Sequence, residues 1–377
     1  MKVLFNETNY SANQIENAKM AMSDCLKSGW VVTGPETNRA EEYCASLVGA
    51  EYAVGFGIAP FFPVAAALKY YFKLKGIMTP RVLVQATAWP EHIACFHAFG
   101  FQVELSDITC AVGGYPNFDL TALLTLASPH VVFTADVHGA CTQDIEHIAS
   151  RCKGLDILLV HDVSYGFFAQ NIDGFTRQYG DIVTMSLNPG KLVTGLNGGM
   201  ALTDNIDIYE LMKMARLDGL EQPAKNCIIP VGDWRMLEIQ ANILYHCLLG
   251  VQDQIEERIR IANKYEEAIK ENPKLEPLMI RDQTMFTGLD RFTLRIPGNK
   301  QELRDELNRL GIQSVPLTYD HPASWHSIAD DVVVGGKYTP VADEWCETHI
   351  LIPLHNKLTR DEVDFVCETL QRIDVWK

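Results

Sequence analysis

Short apolar runs that alternate with helical patterns constrain the fold of this chain most strongly. Between several of them lie stretches such as 90–99 and 144–153, whose apolar residues recur three and four positions apart. Apolar strands that alternate with helices form a mostly parallel sheet covered on both faces. The runs are 51–56, 81–86, 101–106, 130–135, 156–162, 181–187 and 199–203. They predict a three-layer α/β/α domain that binds its ligands beyond the carboxyl ends of the strands.

The pattern changes after the last of these runs. Residues 236–270 form one long helical pattern, and short strand and helix patterns follow it. Two later helices have clear ends, because Gly311 closes one and a capping box of Thr359 and Glu362 opens the other. A chain of 377 residues is long enough for a large core and a smaller one. We predict a large domain at 1–245 and a small α+β domain at 246–377, bridged by the long helical run.

The charge and composition of the chain indicate what kind of partner it binds. A formal charge of −16 argues against a nucleic-acid or anionic-membrane surface, which needs clustered Lys and Arg. No stretch approaches the roughly 20 apolar residues of a membrane span, and the start of the chain lacks the apolar core of a signal peptide. The ten cysteines contain no CxxC pair, so no metal site is predicted. We expect a cytoplasmic protein with reduced cysteines that binds a small molecule.

Two residues at strand ends suggest a particular chemistry. Lys191 follows the run 181–187, and Asp162 ends the run 156–162. A lysine amine can bond covalently to an aldehyde cofactor such as pyridoxal phosphate (PLP), and a carboxylate can keep the ring nitrogen of that cofactor protonated. A buried strand-end carboxylate also needs a cationic partner. Taken singly, Lys191 is equally consistent with a solvated loop charge, and Asp162 with a helix cap or turn.

The order of several sequence blocks resembles the DegT/DnrJ/EryC1/StrS family of sugar aminotransferases. In that family an "EDAAQ" or "EDAAH" segment precedes "GDIGTFSF-P-K" and a glycine-rich end, and this chain has "HDVSY", "GDIVTMSLNPGK" and "LNGG" in the same order. Further similar blocks are 28–54, 137–148, 232–243, 303–317 and 349–366. The resemblance implies a fold type I aminotransferase that uses PLP, with the aminated form (PMP) as intermediate. It also implies a homodimer whose active site is shared between the subunits.

The resemblance assigns roles to five residues. Lys191 is implied to form the Schiff base with PLP, and Asp162 to pair with the ring nitrogen. Trp89 matches an aromatic residue that stacks on the ring, and Tyr165 matches a Gln or His near the ring 3-oxygen. Ser186 matches a serine that binds the cofactor phosphate. On its own, Trp89 is also consistent with a core residue and Ser186 with a turn.

Three positions depart from the family pattern, and all concern the cofactor phosphate. Ala59 and Pro60 stand where the family has Gly and Thr in a turn that meets the phosphate. Asp233 stands where the family has an asparagine that reaches the phosphate from the neighbouring subunit. Either Asp233 turns to Arg235 or another cation, or other donors replace the lost ones, or the cofactor is held mainly by its covalent bond.

The expected function is transfer of an amino group from an amino acid, by resemblance L-glutamate, to a keto group of a nucleotide-linked sugar. A lysine at position 191 argues against the dehydratase branch of the family, where a histidine replaces it. Two alternatives remain open: a different keto substrate (a nucleoside, cyclitol or keto acid), and a non-catalytic paralogue with a degraded phosphate site. Four aromatic side chains are predicted to contact the sugar or its nucleotide, or else are ordinary loop residues: Tyr319, His321, Trp325 and His326. His138 and His161 are expected to line the site or to be satisfied core groups.

Overall fold

The protein is described by a computed structural model that covers most of the chain. The described residues are 1–110, 115–125, 128–139, 141–142, 144–171, 174–175, 179–221, 226–278, 281–282, 285–286, 291–314 and 322–375.

Helices and strands alternate through the first two thirds of the chain. The helices are α1 (Ala12–Ser28), α2 (Pro35–Val48), α3 (Phe61–Leu74), α4 (Pro90–Ala98), α5 (Ala122–Thr125), α6 (Ile145–Gly154), α7 (Ile206–Arg216), α8 (Glu238–Leu249), α9 (Val251–Ile269), α10 (Lys300–Leu310), α11 (Ile328–Val332), α12 (Pro340–Thr348) and α13 (Arg360–Arg372). The strands are β1 (Tyr52–Phe56), β2 (Arg81–Gln85), β3 (Gln102–Ser106), β4 (Ile108–Cys110), β5 (Pro116–Phe118), β6 (Val131–Ala135), β7 (Leu158–Asp162), β8 (Gln170–Asn171), β9 (Gly174–Phe175), β10 (Ile182–Ser186), β11 (Gly199–Thr203), β12 (Glu276–Leu278), β13 (Arg281–Asp282), β14 (Met285–Phe286), β15 (Phe292–Arg295) and β16 (His349–Ile352).

The central sheet has seven strands in the order β1-β11-β10-β7-β6-β2-β3. Every neighbouring pair from β10 to β3 is parallel, whereas β11 runs antiparallel to both β10 and β1. The prediction of a mostly parallel sheet is confirmed. Because β2, β6, β7 and β10 run in one direction, the residues that follow them meet at one edge of the sheet.

Both faces of this sheet are buried against helices. Within β2, Val82 and Val84 pack in an apolar cluster with residues of α3 and α4, while Leu83 packs on the opposite face with residues of α6. Successive side chains of a strand point to opposite faces, so an uninterrupted apolar strand needs cover on both sides. This is the three-layer arrangement predicted from the apolar runs.

A second core lies in the C-terminal part of the chain. Strands β12, β15 and β16 form an antiparallel sheet, and α9, α10 and α13 contribute buried residues to the same cluster. Val3 and Phe5 belong to this cluster too, so the first residues of the chain pack on the second core. Gly311 ends α10 with φ 95°, and a Cβ there would lie 2.2 Å from the Met1 oxygen. A glycine is therefore required at this crossing.

The long helical run at 236–270 is two helices, which corrects the prediction of one. Gly250, with φ −102° and ψ 12°, separates α8 from α9. A glycine inside a helix costs about 1 kcal/mol relative to alanine, so this position is a weak point of the run. The break also lets α8 pack on α1 and α2 while α9 packs on α13 of the second core. The division at residue 245 stays a prediction.

Local details of the helix ends are also clear. The predicted capping box of Thr359 and Glu362 begins α13, and a second capping box, of Ser11 and Gln14, begins α1. Pro60 directly precedes α3, as expected of a proline at a helix start. Within the described residues, no helix combines the length and apolar character needed to cross a membrane.

Candidate active site

A cavity of about 150 Å³ opens at the sheet edge where β2, β6, β7 and β10 end. Five of the residues predicted to form the site line this cavity: Trp89, Asp162, Tyr165, Ser186 and Lys191. They come from three separate strand ends, and the parallel pairing of the strands brings them together. Ala59, Pro60 and Asp233 are described by the structure but do not line the cavity.

Asp162 is a buried carboxylate of the cavity. Its side chain is held through one of its two oxygens. This oxygen, Oδ1, accepts hydrogen bonds from Ser164 N at 3.1 Å, Ser164 Oγ at 2.6 Å and Thr184 Oγ1 at 3.3 Å. The residue is 3% exposed, and burial raises the pKa of its carboxyl to about 6, against the lowering effects of Ser164 and Lys191. A carboxylate in this state gains from a cationic partner at its second oxygen.

Lys191 lies on a turn that three contacts hold in place. Gly190 N donates to Thr8 Oγ1 at 3.2 Å, and Gly190 O accepts from Asn6 Nδ2 at 3.1 Å and from Arg291 at 3.2 Å. Gly190 has φ 89°, and a Cβ there would lie 1.9 Å from Asn6 Nδ2, so only glycine fits. The Lys191 amine lies 3.0 Å from the centroid of the Tyr165 ring. Its position in the cavity is therefore set by both the turn and an aromatic face.

The residues fit the ring of PLP better than its phosphate. Asp162 Oδ2, Trp89 and Lys191 supply an anion, an aromatic wall and an amine in one cavity. On the phosphate side, Ser186 and Asn188 line the cavity, and the buried Asn188 Oδ1 has no hydrogen-bond partner among the described atoms. This atom accepts hydrogen bonds and so suits a ligand group that donates one, whereas a phosphate needs donors such as Ser186 Oγ or the Asn188 amide nitrogen. The donor set thus fits the cofactor, with few donors for the phosphate.

The start of α3 has lost much of its capacity to bind an anion. The first residues of this helix and its cap include Pro60 and Pro63, which carry no N–H group. Pro60 also packs against the backbone at Gly199, where a Cβ would lie 2.3 Å from Pro60 Cδ. Only the N–H groups of Phe61 and Phe62 remain for an anion at this helix end.

Asp233 faces Arg235, the first of the three outcomes considered above. Arg235 donates to Asp233 from Nε at 2.9 Å and from a terminal nitrogen at 2.6 Å, and this bidentate pair holds the pKa of the Asp233 carboxyl below its usual range. The carboxylate is therefore compensated by a cation of its own chain. Its predicted place near the cofactor phosphate of a neighbouring subunit stays a prediction.

Comparison with known proteins identifies the family. Residues 13–371 match the profile of the DegT/DnrJ/EryC1/StrS aminotransferase family. The chain belongs to this family. The predicted family, fold class and aminotransferase class are therefore confirmed.

Three proteins similar to this DegT/DnrJ/EryC1/StrS chain are distant in sequence but match nearly all of its length. A UDP-4-amino-4,6-dideoxy-N-acetyl-beta-L-altrosamine transaminase of Campylobacter jejuni is 22% identical over 97% of this chain and 96% of its own length. Among solved structures, Helicobacter pylori PseC, an aminotransferase involved in the biosynthesis of pseudoaminic acid, has a TM-score of 0.84 at 17% identity and covers 98% of both chains. Spr1654 of Streptococcus pneumoniae, solved in a PLP form and a PMP form, has a TM-score of 0.83 at 19% identity over 98% of this chain and 98% and 97% of the solved chains.

Several residues of the cavity were not found from the sequence. Asp136 follows the buried strand β6, so the strand-end argument that found Asp162 also applied to it. His92 lies in the first turn of α4, three residues after the N-cap residue Trp89, and both line the cavity. Arg291 lies just before β15 and is 4% exposed, yet it lines the cavity across from these strands. No local pattern marked Arg291, because its position depends on how the second core packs on the first.

The two histidines considered earlier have different environments. His161 is buried, and its Nε2 and Nδ1 lie 2.9 Å from Asp136 Oδ1 and 3.0 Å from Tyr179 O, so it is a satisfied core group. His138 lines the cavity and lies 3.4 Å from Thr293 Oγ1. The described His, Cys, Asp and Glu side chains include no group of three or more placed to hold a metal ion.

The predicted substrate residues are only partly described. Tyr319 and His321 lie outside the described residues. Trp325 ends a short 3-10 turn at Ala323–Trp325 and is 37% exposed, and neither it nor His326 lines the cavity. Their contact with a sugar or nucleotide stays a prediction.

Proposed function

We propose that this chain is a PLP-dependent aminotransferase that moves an amino group from an amino acid, L-glutamate, to a keto group of a nucleotide-linked sugar. The observation that supports it most is the meeting of the Lys191 amine and the buried Asp162 carboxylate in one cavity. When bound, PLP supplies an electron sink for the carbon that gains or loses a proton. The other groups of the site bind, orient and move protons.

Each residue has a role that its geometry supports. Lys191 Nζ would hold the cofactor, and the freed amine would be the base that takes a proton from the donor α-carbon and returns one. Asp162 would pair with the ring nitrogen, and Trp89 would cover the ring. The phenol of Tyr165 would donate to the ring 3-oxygen, while Ser186 Oγ and Asn188 Nδ2 would donate to the phosphate.

The charge of Arg291 supports an amino-acid donor. This guanidinium stands 5.5 Å over the Tyr165 ring, the same ring that the Lys191 amine approaches to 3.0 Å. The carboxylate of an α-amino acid lies beside the amine that replaces Lys191, where a fixed cation can pair with it. Arg291→Met should therefore reduce kcat/KM for L-glutamate by roughly 30-fold or more, the cost of truncating one partner of a buried charge pair. Because Arg291 also donates to Gly190 O beside Lys191, every donor should lose some activity, and a neutral amine donor of similar size should lose less than L-glutamate.

The names of the relatives support a nucleotide sugar as the amino-group acceptor. The Campylobacter jejuni relative is named for a UDP-linked amino sugar, which makes a nucleotide sugar the first acceptor class to test.

Large apolar side chains are exposed near the start of α8 and in the segment before α2: Trp30 (59%), Val31 (46%) and Leu237 (43%). Val32 and Leu237 pair across this surface. Such an apolar patch is typical of a subunit interface, in agreement with a homodimer.

The proposal is tested with the purified protein and PLP. We expect the visible band of lysine-bound cofactor in the wild type, its loss in Lys191→Ala, and its retention in Lys213→Ala, an exposed lysine paired with Glu210. Borohydride reduction should add the cofactor mass to the peptide that contains Lys191. Absence of the band at saturating cofactor would instead indicate a non-catalytic paralogue.

The acceptor is tested in a second step. The enzyme is converted to its aminated form with L-glutamate, and candidate keto compounds are added. Return of the visible band with a nucleotide-linked keto sugar supports the proposal. Return with a keto nucleoside, cyclitol or keto acid, and not with a keto sugar, would replace it with the alternative substrate class.

A further inference from the structure

His92 is a buried polar side chain that the proposed chemistry does not yet use. It is 2% exposed, lines the cavity, and neither ring nitrogen has a hydrogen-bond partner among the described atoms. Its ring centroid lies 4.2 Å from that of Phe61, in an edge-on contact, and 4.4 Å from that of Phe133, in a tilted contact. An apolar ring would satisfy this aromatic packing better, so packing does not explain an imidazole here.

The Asp162 carboxylate lies beside this ring, with its Oδ2 oxygen near the imidazole. His92 Nε2 lies 3.5 Å from Asp162 Oδ2, whereas Oδ1 already accepts hydrogen bonds from Ser164 and Thr184. This separation is slightly longer than a hydrogen bond, and a small rotation of the imidazole closes it. Contacts of this kind often shorten only when the ligand is bound.

The charge state of the imidazole suits a donor role. Burial, with the Lys191 amine nearby, lowers the pKa of His92 to about 3, so the ring is neutral at pH 7 and carries one N–H. Next to an ionised carboxylate, the favoured tautomer places that proton on Nε2. The other charged groups that face Asp162 are Lys191, Asp136 and Glu91.

We propose that His92 is a positioning residue: its Nε2–H donates to Asp162 Oδ2 and holds that carboxylate in the orientation that meets the ring nitrogen of the cofactor. The inference rests on the proposed function, because it assumes that Asp162 faces this nitrogen. A hydrogen bond to the ionised form favours that form. His92 therefore keeps Asp162 ionised, and available to the ring nitrogen, down to a lower pH.

The test uses two variants with cofactor bound, His92→Phe and His92→Gln. Phenylalanine keeps the aromatic packing and removes the donor, whereas glutamine keeps an N–H donor. Retention of cofactor is followed by the visible band as the pH is lowered from 8 to 4. We expect the midpoint of cofactor release to rise by about one pH unit in His92→Phe, because loss of the donor raises the pKa of Asp162. His92→Gln should restore most of the difference.

A cofactor analogue separates this role from a structural one. In the carbocyclic analogue of PLP, carbon replaces the ring nitrogen and the aldehyde and phosphate are unchanged. The difference between His92→Phe and the wild type should disappear with this analogue. Equal midpoints with PLP, or an equal shift with both cofactors, would overturn the inference. A wild type that forms no visible band with either compound would refute the proposed function itself, and the inference with it.

Discussion

The two sides of the cavity differ in how well their polar groups are paired by hydrogen bonds. On the Asp162 side, a buried carboxylate is oriented by Ser164 and Thr184 and faces Lys191 across the cavity. On the phosphate side, formed by Ser186, Asn188 and the start of α3, prolines remove N–H donors and an amide oxygen is left without a partner. We therefore expect recognition of the proposed cofactor to depend more on its ring and on the Lys191 amine than on its phosphate.

The largest expected effect is on the Asp162 side. Asp162→Asn keeps the shape and removes the charge that we propose pairs with the ring nitrogen, so PLP should bind about a hundredfold more weakly, or about 3 kcal/mol. The dissociation constant is measured by titrating cofactor into the apoprotein and following the visible band. Ser164→Ala is the control, since it keeps the carboxylate; it removes the hydroxyl that donates to Asp162 Oδ1 and accepts from Ser186 N, and it should lose tenfold or less. Equal affinity of Asp162→Asn and wild type would reverse the contrast between the two sides.

The same substitution should have the opposite effect on the stability of the apoprotein. The pKa of Asp162 is about 6 in the folded state, above its ordinary value of 3.8. Between these pH values the folded chain binds more protons than the unfolded chain, so stability falls as the pH rises through this window. At pH 7 the ionised carboxylate costs up to about 3 kcal/mol.

Asp162→Asn removes this cost. Urea unfolding of the apoprotein at pH 4.5 and pH 7 should therefore show a smaller decrease with pH in the variant than in the wild type. Asp233→Asn is a suitable control, because the pKa of that exposed group is lowered and its small contribution to stability is lost as the pH falls. If the stabilities of Asp162→Asn and the wild type depended on pH in the same way, the ionised carboxylate would not destabilise the free protein.

Sequence patterns predicted the scaffold well because the scaffold depends on periodicity. The apolar runs gave the sheet and its buried faces, and the strand-end argument located Asp162 and Lys191. The same argument, applied to the end of β6, would have added Asp136. Arg291 could not be predicted from the sequence, since its place in the cavity depends on how the two cores pack together.

The chemistry of single side chains was harder to predict than the scaffold. The bidentate contact between Asp233 and Arg235 depends on side-chain rotamers, and the sequence left it as one of three possibilities. The helix break at Gly250 was missed because the apolar spacing continues on both sides of it. Contacts between distant segments and the choice of rotamer are thus the parts that periodicity does not determine.

Hydrogen-bond donors can be added to the start of α3 by substitution. The double variant Ala59→Gly with Pro60→Thr returns one backbone N–H and one hydroxyl to the start of α3. Because hydrogen bonds to a charged group contribute about 1.5–3 kcal/mol, PLP affinity should rise about tenfold or more. Pyridoxal, which lacks the phosphate, is the matched control ligand, and its affinity should not change. An equal gain for both ligands would place the effect on the ring and not on the phosphate.

The smallest expected effect concerns Asp233. If this carboxylate lies near the cofactor phosphate of a neighbouring subunit, Asp233→Asn removes a repulsion, while Arg235→Met removes the cation that compensates it. The pair is partly exposed, with 43% of the Asp233 side chain and 34% of the Arg235 side chain accessible, so each change should amount to only about 1 kcal/mol. PLP should bind a few-fold more tightly to Asp233→Asn and a few-fold more weakly to Arg235→Met, and both differences should shrink in 1 M salt because ions screen exposed charges. The double variant should resemble Asp233→Asn, since Arg235 acts only through the carboxylate. Unchanged affinity in all three variants, at low salt, would mean that the 233 position lies away from the phosphate and that the loss of donors at the start of α3 alone accounts for the weaker side of the cavity.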